Sequence, residues 1–175
     1  YLLSQGVSED RIIKIELDQR RYYKFRNPIT LCEYVEDLVS GKKDEKFYLF
    51  IDEVQLTTKV IDKENGGIEV SIYDMLNELK AYKNLDVYVT GSNSKGLSKD
   101  IATEFRGRAT QIHVFPLSFE ELYSHVGGDE RKALDIYTLY GGMPRLLALT
   151  DEKDKKDYLS SLCSELYVKD IVERN

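Results

Sequence analysis

Tryptophan is absent from the 175 residues, and cysteine and histidine occur only twice each. Cys32 and Cys163 stand 131 positions apart, which excludes a disulfide framework and suits buried thiols in a reducing compartment. His113 and His125 share no ligand spacing with each other or with the cysteines, so no zinc site is expected. No nucleophile elbow supports Ser-His-Asp chemistry. No apolar run approaches the roughly 20 residues that span a bilayer; the longest, Phe47–Ile51, has the length of a strand. No secretory leader is evident, and no membrane partner is expected. Positive charge is also short: 25 Lys+Arg against 31 Asp+Glu give a net charge of −6. A domain gripping a phosphate backbone carries the opposite excess, so nucleic acid is not expected through this segment unless its cations gather on one face.

What remains is a well-supplied core and a charged surface. Hydrophobic residues make up 42%, with 13 Tyr and 6 Phe, enough to offset chain entropy; the 32% of charged residues lie above the usual quarter. A soluble, cytoplasmic globular protein is the plain expectation. The opening Tyr1-Leu2-Leu3 and the helix-like run Tyr158–Asn175 predict that both ends are cuts within a longer protein.

Hydrophobic periodicity divides the chain. Arg11–Leu17 alternates from Ile13 onward, as a partly covered strand does. An Arg/Tyr-rich connection runs to Pro28, and Thr30 is placed to cap a helix carrying Leu31, Tyr34, Val35, Leu38 and Val39 on one face, stopped by Gly41. Phe47–Ile51 is apolar on both faces, which predicts a central parallel strand. A polar stretch Thr57–Gly67 precedes helical spacing over Ile68–Tyr82, then strand Leu85–Val89, a helix over Ser98–Phe105 and a strand over Gln111–Phe115. Helices follow over Ser118–His125 and Glu130–Tyr140, with two more beyond the Gly141-Gly142 break. Alternating strands and helices imply right-handed crossovers and a parallel α/β sheet. The pattern turns wholly helical near residue 126, dividing the chain into an α/β core, 1–125, and a helical lid, 126–175.

In an open parallel sheet, ligands bind at the carboxyl ends of the strands. Two polar clusters fall there: Asp52-Glu53, and Thr90-Gly91-Ser92-Asn93. Two readings fit the acids. They either begin a solvated loop or serve phosphoryl transfer, one carboxylate anchoring Mg²⁺ and the other orienting an attacking water. The 38 residues from Asp52 to Thr90 fit one crossover helix and one strand. Gly91–Ser98 nearly matches the phosphate loop G-x-x-x-x-G-K-[ST], but Leu97 stands where lysine is required, and no other stretch supplies that loop. Arg106 and Arg108 suit either charge stabilisation at a γ-phosphate or an ordinary helix C-terminus.

Five stretches together resemble a family of bacterial and archaeal P-loop ATPases of the AAA type. They are Tyr48–Gln55, Val87–Ser94, Phe105–Arg108, Phe115–Glu120 and Tyr140–Pro144, and their order and spacing run from residue 48 to residue 144. The resemblance implies a three-layer P-loop NTPase-like sheet and ATP with Mg²⁺ as ligands. By it Asp52 holds the metal and Glu53 the attacking water. Thr90, Ser92 and Asn93 share the sensor position, and Arg108, with Arg106 beside it, matches the family's Gly-Arg arginine. Gly142 and Pro144 match a turn that borders the nucleotide base in related ATPases. Family members begin with a strand, a phosphate loop and a helix that this sequence does not contain. The expectation is therefore a sheet lacking its central strand, inactive as this fragment and prone to self-association through unpaired edges. The alternative is a protein-interaction or regulatory module without nucleotide hydrolysis.

Overall fold

The computed structural model describes residues 1–91 and 109–172, which fall into two compact units, Tyr1–Gln111 and Ile112–Asn175. The described strands are β1 (Ile12–Glu16), β2 (Phe47–Asp52), β3 (Val60–Asp62), β4 (Ile68–Val70) and β5 (Leu85–Val89). The described α-helices are α1 (Pro28–Val39), α2 (Ile72–Leu79), α3 (Phe119–Val126), α4 (Glu130–Tyr140) and α5 (Glu152–Val172).

The first unit is an α/β fold of the P-loop NTPase kind. Strands β1, β2 and β5 form a parallel sheet in the order β1-β2-β5, with Ile13 beside Leu49 and Leu49 beside Val87. Phe47, Leu49 and Ile51 point to one face and are buried, joined by Ile13 and Ile15 from β1 and by Leu17 just after it. Helices α1 and α2 cover that face with Leu31, Val35, Val39, Leu76 and Leu79. The opposite face keeps Tyr48 and Phe50 half-buried, and Phe50 stacks on Tyr88 with ring centroids 4.9 Å apart.

Helix α1 starts two residues before the expected Thr30 cap. Asn27 is the cap: its side-chain oxygen accepts from the N–H groups of Ile29 (3.0 Å) and Thr30 (3.4 Å). Pro28 decides this, because a proline at the first helical position has no N–H to satisfy and holds the preceding residue extended. Helix α2, by contrast, starts later than expected. Ile68–Val70 pairs antiparallel with Val60–Asp62, and the helix begins after Ser71, whose N–H and hydroxyl both donate to Asp74. The Ile68/Ile72 spacing fits a helix, but Gly66 and Gly67, both at positive φ, close a hairpin first.

The expected strand over Gln111–Phe115 does not form. Ile112, Val114 and Phe115 are 68%, 90% and 79% exposed. A strand needs a partner to satisfy its backbone, and no described strand lies alongside this one. The expected helix over Ser98–Phe105 lies outside the described residues. In the second unit Ser118 caps α3 by accepting from the Glu121 N–H, and Phe119 packs edge-on against Tyr137 of α4. Beyond Gly141-Gly142 a 3₁₀ turn, Pro144–Ala148, replaces the first of the two expected helices, and α5 is the second.

Both cysteines are free, but the expectation that both are buried holds for Cys32 alone, and Cys163 is exposed on α5. Cys32 lies in the core on α1, and burial, aided by Glu36, Glu78 and Glu33, pushes its thiol up to about 12. Ellman's reagent at pH 8 should therefore titrate one thiol, the exposed Cys163, in the native protein and a second only in denaturant. Two rapidly reacting native thiols would contradict the packing of α1 on the sheet.

Candidate functional site

Parallel pairing brings the carboxyl ends of β1, β2 and β5 to one edge. Glu16 stands beside Asp52, and Thr90 follows β5 directly. The backbone of Thr90 grips β2 twice: its N–H donates to the Ile51 carbonyl (2.9 Å), and its carbonyl accepts from the Val54 N–H (2.9 Å). Asp52 and Glu53 are the two residues between these grips. On the other side the Leu17 N–H donates to the Asp52 carbonyl at 3.2 Å, so the base of the acid pair is held by both neighbouring segments.

Glu53 is the single described non-glycine residue at positive φ (56°, with ψ 48°). This left-handed residue turns the chain from β2 into the 3₁₀ helix Val54–Leu56 and lets Val54 become fully buried. An L-residue pays roughly 1–2 kcal/mol for that conformation, and such positions cluster where function needs them. The acids have different partners. The Thr90 hydroxyl donates to Asp52, while the Gln55 side-chain amide donates to Glu53. Asp52 is exposed and Glu53 half-buried.

Among the described residues no group of three or more His, Cys, Asp and Glu side chains could cage a metal. A single exposed carboxylate at a sheet edge does fit Mg²⁺, a hard cation that keeps several waters and takes one or two carboxylates together with phosphate oxygens. Ser92, Asn93, Arg106 and Arg108 lie outside the described residues, so of the three residues expected at the sensor position only Thr90 is described.

Gly142 and Pro144 belong to the second unit. Gly142 is buried, and a Cβ on it would sit 1.9 Å from the Leu117 carbonyl oxygen. The Leu117 N–H donates to the Gly142 carbonyl at 2.7 Å, and the Leu117 carbonyl accepts from the Tyr137 hydroxyl at 2.9 Å. Two of the recognised motifs, Phe115–Glu120 and Tyr140–Pro144, thus meet through their backbones, and that approach by itself requires glycine at 142. Pro144 is exposed and opens the 3₁₀ turn.

A family model described as AAA domain matches residues 1–123, which include β1 through α2, the acid pair, Thr90 and the two arginines. The chain belongs to the AAA domain family. It is 27% identical over 179 aligned residues to an uncharacterized protein of Haemophilus influenzae, covering 99% of this chain and 41% of that protein. It is 29% identical over 163 residues to an uncharacterized protein of Methanocaldococcus jannaschii, covering 76% of this chain and 37% of the relative. The chain thus spans about two fifths of the length of these curated relatives. No solved structure matches it significantly.

Sequence reading singled out the acids and Thr90 but not the Gln55 amide or the double backbone grip. An i, i+2 side-chain contact and a pair of main-chain bonds leave no residue-type signal.

Two substitutions test this geometry. Glu53→Gly should raise stability in urea by about 1 kcal/mol by removing the left-handed penalty, whereas glycine elsewhere usually costs that much; a loss would contradict the conformation of Glu53. Gly142→Ala should destabilise the second unit by about 1–3 kcal/mol through overpacking. An unchanged denaturation midpoint would remove the Leu117 contact.

Proposed function

We propose that the chain supplies the catalytic edge of an ATP-binding and ATP-hydrolysing protein. The observation that carries this reading is the pairing of Asp52 with Thr90 at the sheet's carboxyl edge, with Glu53 fixed beside them in a left-handed turn. Mg²⁺ at such a site draws charge from the phosphate oxygens. Asp52 is the carboxylate for its hydration shell, and the Thr90 hydroxyl orients that carboxylate. Glu53 accepts a proton from the attacking water, and the Gln55 amide fixes the direction of its carboxylate. Thr90, Ser92 and Asn93 form the sensor group, and Arg108 with Arg106 spreads γ-phosphate charge.

This sequence contains no G-x-x-x-x-G-K-[ST] loop, so we assign turnover to the full-length protein and expect this chain alone to be inactive. The two free thiols suit a cytoplasmic protein, and no helix of the described residues is long and apolar enough to cross a membrane. The outer edges of β1 and β5, which pair with no other described strand, are where self-association would begin.

In the full-length protein, Glu53→Gln should lower kcat for phosphate release at least 100-fold, within the usual reach of a general base. Affinity for Mg-ATP by calorimetry should stay within about threefold, because this carboxylate acts in the transition state. Equal turnover would remove Glu53 from the reaction. Failure of the full-length wild type to bind Mg-ATP would favour the interaction-module alternative.

A further inference from the structure

The Arg/Tyr-rich connection between β1 and α1 is not used by the nucleotide reading. Arg20–Arg26 forms a 3₁₀ helix of seven residues carrying four cations and no carboxylate, in a chain of net charge −6. A 3₁₀ helix repeats every three residues, so side chains at i and i+3 align. Arg20-Arg21-Tyr22-Tyr23-Lys24-Phe25-Arg26 therefore divides into three stripes. Tyr22 and Phe25 face inward: Phe25 is buried and Tyr22 packs on the core, with 6.4 Å between their ring centroids. Arg20, Tyr23 and Arg26 make one outer stripe, and Arg21 and Lys24 the other.

The outer stripes are held in place. The Arg26 Nε–H donates to the Leu17 carbonyl at 2.9 Å, and its guanidinium lies 4.0 Å from the centroid of the Tyr23 ring. The Arg26 carbonyl accepts from the Thr58 N–H at 2.9 Å. Arg21 pairs with Glu16 at 3.0 Å, and Lys24 lies 4.7 Å from the Phe25 centroid and 6.0 Å from that of Tyr34. Tyr23 and Tyr34 are 48% and 39% exposed, and Arg20 and Lys24 stand out in solvent. The surface thus presents half-open aromatic rings, each with a cation beside it, on a backbone ordered before any ligand arrives. Asp18 on the adjoining connection and Glu33 and Asp37 on α1 are the exposed carboxylates of these two segments.

We propose that this surface binds single-stranded nucleic acid, with bases stacking on Tyr23 and Tyr34 and phosphates meeting Arg20, Arg21 and Lys24. Aromatic faces interleaved with cations suit a strand of bases and phosphates, whereas an acidic peptide would use the cations and leave the rings idle. The overall acidity of the chain does not oppose it, because the four cations gather on one short element. The proposal does not depend on nucleotide hydrolysis.

The test is fluorescence anisotropy of a labelled oligothymidylate, longer than the ~4–16 nucleotides such a surface occludes, titrated with this chain. Saturable binding is expected at low salt, with a log–log salt slope of about −2 to −3, as three or four phosphate contacts on a single strand give. Tyr23→Ala should weaken it by about 5- to 150-fold, the usual loss per stacked base, and Tyr23→Phe should keep it within about twofold. Arg20→Glu with Lys24→Glu should abolish it with the far-UV circular dichroism unchanged, both side chains being exposed. Absence of binding at low salt, or binding indifferent to these substitutions, would overturn the proposal. So would displacement of the oligonucleotide by polyglutamate as readily as by unlabelled strand, which would mark an acidic protein segment as the partner.

Discussion

Strand β2 is the constraint on which the rest of the first unit depends. Phe47, Leu49 and Ile51 are at most 1% exposed, and each such side chain contributes roughly 1.5–3 kcal/mol when taken from water. That burial fixes the register of β2 against β1 and β5, because a slip of one residue would turn all three to the other face. It also decides where the apolar run must end. Asp52 follows Ile51 immediately, so its charge emerges at the sheet's edge and nowhere else. The acid pair is placed by the core beneath it more than by anything in its own loop.

Around that edge the chain departs from ordinary local preference. Glu53 takes a left-handed conformation that glycine would adopt more cheaply, and the cost is offset by the buried Val54 and by the paired bonds of Thr90. Gly142 shows the opposite economy. There a glycine allows two main chains to touch, and its value lies in what it lacks.

The parts of the fold that could be read from sequence were those where burial and residue type agree. The five apolar residues of β2 ending in two acids, the alternation of β1, and the helical runs of α3 and α4 were legible because each has a strong period and a clear boundary. The hairpin β3–β4 was not, since its strands have three residues each and bury only Val70 fully. Gln111–Phe115 misled for a different reason. Its alternation is real, but a strand is a relation between two segments, and periodicity reports only one of them. At the site, Asp52, Glu53 and Thr90 could be proposed from chemistry and position, whereas their mutual hold is made by main-chain atoms common to every residue.

The topology has a consequence for the order in which the molecule assembles. Tyr48 lies beside Ile12 and Leu85 beside Phe47, so each parallel ladder closes a loop of more than 30 residues. The short β3–β4 hairpin and helix α1 need only local contacts, which form in microseconds, while the ladders must first overcome the entropy of loop closure. On an emerging nascent chain, β2 waits for β5 with one edge bare. The Thr90 hydroxyl reaches Asp52 only after 38 further residues have been made. The acid edge is among the last features of this unit to exist, and a chaperone or a neighbouring strand that covered β2 in the interval would govern how much of the protein matures.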